Sequence, residues 1–111
     1  MKSIIHLSSG DEFDRKVACE RTKGLILSSL ETEIILYADI DGVRMLVTEA
    51  PEADDIRTFL DDGVRVLGNR ECFELRNISL DSVIEGVELT GDSTEELTRL
   101  QIEGATYVKA P

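Results

Sequence analysis

Short runs of aliphatic and β-branched residues alternate along this chain with segments whose apolar positions recur at helical spacing. The first run, Ser3-Ile4-Ile5-His6-Leu7-Ser8, reads as a strand that stops at the turn residues Ser9-Gly10. From Asp11 to about Ser29 the spacing predicts a helix; Phe13, Val17, Ala18, Leu25, Ile26 and Leu27 form a ragged stripe that Gly24 weakens. Glu33 to Ala38 is almost continuously apolar, as expected of a strand covered on both faces. Gly42-Val43-Arg44-Met45-Leu46-Val47 fits a short helix or a strand, and Pro51 stops either one. Ala53, Ile56, Phe59 and Leu60 then restore helical spacing up to Gly63, placed as a helix C-terminal glycine. Val64 to Leu67 is a third strand, after which Asn69 serves as N-cap of a short helix reaching Leu75. Val87 to Thr90 is a fourth strand. Ser93-Thr94-Glu95-Glu96 reads as a capping box, with Leu97, Leu100 and Gly104 on one helix face, and Thr106-Tyr107-Val108 is a terminal strand.

Strands alternating with helices imply right-handed crossovers and a mainly parallel sheet with helices on both faces. In such a sheet the ligand crevice lies beyond the carboxyl ends of the strands, which singles out Ser8 to Asp11, Asp39 to Gly42, Gly68 to Cys72 and Thr90 to Ser93. No linker or repeat interrupts the pattern, so residues 1–111 are read as one domain. The apolar stretch Val43, Met45, Leu46 and Val47 is too short for a full crossover helix. Part of it is expected to face outward as a contact between subunits.

Composition narrows the partners. Hydrophobic residues make up 41% and charged residues 32%, the balance of a globular protein. No run approaches the ~20 apolar residues that span a bilayer, and the first residues lead into a strand, so a cytoplasmic protein without membrane contact is expected. A net charge of −11 repels nucleic acid and anionic lipid. Lys2, Lys16, Lys23 and Lys109 are the only lysines, against eight arginines. This skew fits a salt-rich cytoplasm as readily as it fits ordinary acidity.

Cys19 and Cys72 form neither a Cys-x-x-Cys pair nor a zinc pattern, and His6 has no second histidine, so no metal or cofactor is expected. Cys72 falls in the first turn of the short helix, where the dipole and Arg70 favour a thiolate while Glu71 and Glu74 oppose it. Otherwise it is a small apolar residue packed beside Phe73, the role also expected of Cys19. His6 is a proton carrier or a satisfied core residue. The amides of Ser8-Ser9-Gly10-Asp11 can meet an anion, which makes Ser9 and Gly10 binding candidates, but no Walker or dinucleotide spacing accompanies them. Asp39 and Asp41 pair as acid and base, hold a cation, or simply form a turn. Asp54, Asp55, Asp61 and Asp62 read as a solvated helix face and its end.

His6-Leu7-Ser8-Ser9-Gly10, the spacing from Gly42-Val43-Arg44 through Pro51, Ala53-Asp54 and Ile56 to Gly63-Val64, and Glu96-Leu97-Thr98-Arg99-Leu100-Gln101-Ile102-Glu103-Gly104 onward to Lys109 together resemble the DsrE-like (YchN-like) family over nearly the whole chain. The resemblance implies a flavodoxin-like three-layer α/β sandwich with a five-stranded sheet. It also implies homo-oligomers such as trimers or hexamers, and intracellular sulfur transfer through a cysteine to a sulfur-carrier protein. Counting from Gly63-Val64, the cysteine many members carry falls here on Asn69, which cannot form a persulfide. Cys72, three residues on, is the displaced candidate acceptor. The competing readings are an oligomeric binding or regulatory module without the chemistry, with Asn69, Ser9, Gly10 and Asp39 as its binding residues, and a flavodoxin-like nucleotide or flavin binder. The last has no phosphate loop to support it.

Overall fold

The computed structural model describes residues 1–28 and 33–110, and the predicted helix end at Ser29 lies outside them. The elements are β1 (Lys2–Leu7), α1 (Glu12–Leu27), β2 (Glu33–Ala38), a 3₁₀ helix (Ile40–Leu46), α2 (Ala53–Asp61), β3 (Arg65–Asn69), α3 (Arg70–Leu75), a 3₁₀ turn (Leu80–Ser82), β4 (Glu88–Thr90), α4 (Ser93–Ile102) and β5 (Ala105–Ala110). All strand pairs are parallel, in the order β4-β3-β2-β1-β5. The expected three-layer α/β sandwich is therefore present.

The connections explain the layers. Three crossovers step from β1 outward to β4, and right-handedness puts their helices on one face; the last crossover runs back across the sheet to β5, so α4 covers the other. On the first face Ile5, Leu7, Leu36, Ala38 and Val66 pack against Ala18, Cys19, Ile56, Phe59 and Phe73. On the second, Ile4, Ile35, Tyr37 and Leu67 meet Leu97 and Leu100. Strands buried on both faces account for the unbroken apolar runs of β1 and β2.

Two expectations are corrected. Val43, Met45 and Leu46 do not face outward: each has 0% of its surface exposed. The 3₁₀ helix is drawn down onto the sheet because Gly42 allows close approach, a Cβ there lying 2.2 Å from the Leu7 carbonyl oxygen, and because Leu46 lies against Gly68. The segment is then pinned by the Ile84 amide, which donates to the Leu46 carbonyl at 3.0 Å. The second correction concerns α4, which is capped by Asp92, whose carboxylate takes the Glu95 amide at 2.9 Å. Ser93 is thereby left free to serve the sheet. The other caps follow the sequence: Asp11 accepts from Phe13 and Asp14, Asn69 accepts from Cys72, and Gly63 takes the positive φ of +89° that ends α2. No helix among the described residues is long and apolar enough to cross a membrane.

Candidate functional site

Chemistry-bearing side chains gather at the carboxyl edge of the sheet. On the face that α4 covers, strand alternation directs His6 of β1, Tyr37 of β2 and Tyr107 of β5 to the same side. The His6 ring lies 5.6 Å from each tyrosine ring, edge-on. Its Nδ1 is 2.7 Å from Tyr107 Oη, and its Nε2 is 2.9 Å from Asp39 Oδ1. Ser8 Oγ donates to the same carboxylate oxygen at 2.7 Å and lies 3.2 Å from His6 Nε2. Lys109 Nζ donates to Ser8 Oγ at 2.9 Å. Both Ser8 and Asp39 address one ring nitrogen, so this is no nucleophilic triad, in which base and orienting acid take opposite nitrogens. In the neutral ring, Nε2–H donates to Asp39 and Nδ1 accepts the Tyr107 proton, which satisfies every partner.

Electrostatics support an ionised Asp39. Burial raises its pKa, but hydrogen bonds from His6, Ser8 and Ser93 outweigh that and hold the carboxyl below its ordinary value. Tyr107 is shifted the other way, upward, by partial burial and by the Asp39 charge.

On the opposite side of the same edge, the chain leaves β2 through Ile40, whose φ of +50° is left-handed. For a β-branched residue that costs ~1–3 kcal/mol. The turn aims the Ile40 amide at Cys72 Sγ, 3.1 Å away. Cys72 is half-buried in the first turn of α3. Arg76 closes the group, donating to the Cys72 carbonyl at 3.2 Å and to Asp41 Oδ1 at 2.7 Å. Hydrogen bonding to Arg76 holds the Asp41 carboxyl below its ordinary value. Asp39 and Asp41 therefore serve different partners and do not act as an acid–base pair. Among the described residues no three groups converge as a metal site.

The remaining predicted residues separate. Asn69 is buried at the top of β3; its amide donates to the Gly91 carbonyl and to Ser93 Oγ, and its Oδ1 takes the Cys72 amide at 3.0 Å. Both of its N–H donors and one lone pair of its oxygen go into joining β3, α3 and the β4–α4 turn. Ser9 Oγ donates to Asp14 Oδ2 at 2.6 Å and accepts the Asp11 amide at 3.1 Å, and the Asp11 carboxylate takes the Phe13 and Asp14 amides that open α1, so these groups are already engaged within the turn. Gly10 is confined by Asp41, whose Cβ lies 3.0 Å from the place a Gly10 Cβ would take. Arg15 caps the Gly10 carbonyl at 3.1 Å. Arg15 also lies 3.2 Å from Glu52, a charge pair whose atoms are too poorly aligned for a hydrogen bond. Cys19 is sealed in the core, and burial pushes its thiol up to about 12.

Arg76, Tyr107 and Lys109 were not singled out from the sequence, and Ser8 and Ile40 entered only as members of the segments at the carboxyl edge. A trace of them was there: Ser8 is two residues from His6 and Lys109 two from Tyr107, the spacing that puts polar side chains on one face of a strand.

No protein-family model and no curated protein sequence matches the chain. Solved structures do. MTH1491 from Methanobacterium thermoautotrophicum, a protein of unknown function, aligns with a TM-score of 0.91 at 20% identity over 97% of each chain. BT1422 from Bacteroides thetaiotaomicron, also of unknown function, gives 0.76 at 13% identity over 97% of this chain and 93% of its own. The ychN protein from E. coli gives 0.68 at 16% identity over 98% and 99%. At these identities the likeness establishes the fold, which is YchN-like.

Proposed function

We propose that this chain is a small cytoplasmic DsrE-like protein that carries sulfur as a persulfide on Cys72. The observation that supports this reading is the setting of the sulfur: Cys72 is only partly buried at the carboxyl edge of the sheet, with a backbone N–H 3.1 Å from its Sγ, while Cys19 is sealed. In the reaction, the Cys72 thiolate attacks the outer sulfur of a donor persulfide; the S–S bond of the donor breaks, its thiolate leaves and takes a proton, and Cys72 holds the added sulfur. A sulfur-carrier protein then takes it by the same exchange.

A second reading, a homo-oligomeric binding or regulatory module, is favoured by Asn69, which stands where the resembled family has its cysteine and is engaged in structural hydrogen bonds. In either reading we expect a trimer or hexamer. With Val43, Met45 and Leu46 in the core, the exposed apolar side chains available to subunit contacts include Phe13, Ile40, Leu75 and Ile102. Intact-mass and peptide mass spectrometry after incubation with a persulfide donor separates the two readings. One added sulfur on Cys72, abolished by Cys72→Ser, supports the relay; an unmodified Cys72 in the folded protein leaves the binding module.

A further inference from the structure

Apart from Asp39, already a binding candidate, the cluster around His6 belongs to neither reading. The cluster lies at the carboxyl ends of the paired strands β1 and β5, the side of an open α/β sheet on which ligands bind. Ser8 follows β1 and Lys109 lies at the end of β5, joined at 2.9 Å. Behind them runs an unbroken hydrogen-bonded path from Tyr107 Oη through the His6 ring to the Asp39 carboxylate. The path begins at the surface, with Tyr107 38% exposed, and ends inside, with His6 at 7% and Asp39 at 6%.

The same contacts staple three strands, and a purely structural staple would account for them up to that point. Two features go further. A staple has no need to open to solvent through an ionisable phenol. Lys109, in a chain with 23 acidic residues, makes no ion pair with a carboxylate among the described residues. It spends one N–H on Ser8 and keeps two to offer. The Arg21 guanidinium approaches from α1, 3.3 Å from the Lys109 carbonyl, and adds a second cation at the corner.

We propose that this corner is an acid–base site for a small oxyanion that carries an exchangeable proton: Lys109 meets the charge, Tyr107 touches the proton, and His6 and Asp39 relay it. The step balances. The ligand's proton moves to Tyr107 Oη as the phenolic proton passes to His6 Nδ1; the imidazolium is held by the Asp39 carboxylate, and the ligand is left one charge more negative. In reverse the site donates a proton. The titratable or charged groups facing the ring are Asp39, Tyr107 and Tyr37, with Lys109 acting through Ser8 and Ser93 of α4 steadying Asp39. Tyr107 is the catalytic contact, and His6 and Asp39 act through it.

The single histidine makes the test clean. Inorganic phosphate is titrated into the protein near pH 7 while the His6 ring nitrogens are followed by NMR, against KCl at matched ionic strength. Saturable shifts of His6 in phosphate alone are expected. Lys109→Gln should weaken binding about tenfold, as for loss of a charge-assisted contact. The ring nitrogen shifts also report where the proton goes: phosphate should drive the wild-type His6 ring toward the doubly protonated imidazolium, and Tyr107→Phe should bind phosphate with the ring left unconverted. His6 shifts no larger in phosphate than in KCl, binding unchanged in Lys109→Gln, or ring protonation unchanged in Tyr107→Phe would each overturn the proposal. All three outcomes are independent of Cys72.

Discussion

Replacing Gly42 by alanine should be among the costliest single-methyl changes in this protein. The added carbon would fall 2.2 Å from the Leu7 carbonyl oxygen and 2.9 Å from its carbonyl carbon, both backbone atoms that no rotamer change can move. Ordinary carbon–oxygen contact needs ~3.3 Å, so β1 and the 3₁₀ helix must part by roughly 1 Å. That movement pulls on four bonds made where they meet: Asp39 N to Leu7 O at 3.1 Å, Asp41 N and Gly42 N to Ser8 O at 3.1 and 3.2 Å, and Gly42 N to Asp39 O at 2.8 Å. Overpacking costs ~1–3 kcal/mol, and each buried hydrogen bond weakened adds up to ~1 kcal/mol. A loss of about 3–4 kcal/mol is expected, a large part of a typical ~5–15 kcal/mol. At ~4–8 °C per kcal/mol the melting temperature should fall by about 12–30 °C. Gly24→Ala is the internal control, because nothing lies within 4 Å of its added carbon in the last turn of α1. It should gain ~0.5–1 kcal/mol from helix propensity. Urea unfolding of both variants decides the matter: a Gly42→Ala protein within ~0.5 kcal/mol of wild type would refute the close-approach argument.

Three further outcomes are expected. Because hydrogen bonds from His6, Ser8 and Ser93 hold the Asp39 carboxyl below its ordinary value, Asp39 adds stability above that value and loses it as pH falls through the depressed one. Urea midpoints from pH 6 downward should therefore fall less steeply at the acid end for Asp39→Asn than for wild type; parallel curves would mean Asp39 titrates alike folded and unfolded. Met45→Glu buries a charge at a fully enclosed site, so it should unfold the subunit rather than merely dissociate an assembly, and circular dichroism with light scattering distinguishes these. If the charge of −11 reflects a salt-rich cytoplasm, thermal melts should rise steeply between dilute buffer and molar KCl, and a flat series would leave an ordinary acidic protein.

The order of elements was readable because each strand is a short apolar run and each helix has a cap or a glycine stop. Asn69 as N-cap of α3 and Gly63 at the end of α2 were both legible from local rules alone. The Gly42–Val47 segment was not. Its ambiguity between helix and strand is resolved by tertiary approach, with Gly42 over Leu7 and Leu46 over Gly68, and no window of sequence contains both partners. The α4 cap was misplaced by one residue for a similar reason: Asp92 and Ser93 are both good caps, and Ser93 is claimed by Asn69 and by Tyr37 across the sheet.

Asn69 also shows how one buried amide can join several elements. An amide at the end of β3 binds three partners at once, the Gly91 carbonyl, Ser93 Oγ and the Cys72 amide, whereas a thiol there could satisfy none of them as well. The hydrogen bond to Cys72 N fixes the first turn of α3, and that turn places Cys72 Sγ under the Ile40 amide. The residue at the strand end thus orients the thiol one helical turn away. It does so without touching the sulfur, so the amide of Asn69 and the position of Cys72 Sγ are coupled through the backbone of a six-residue helix.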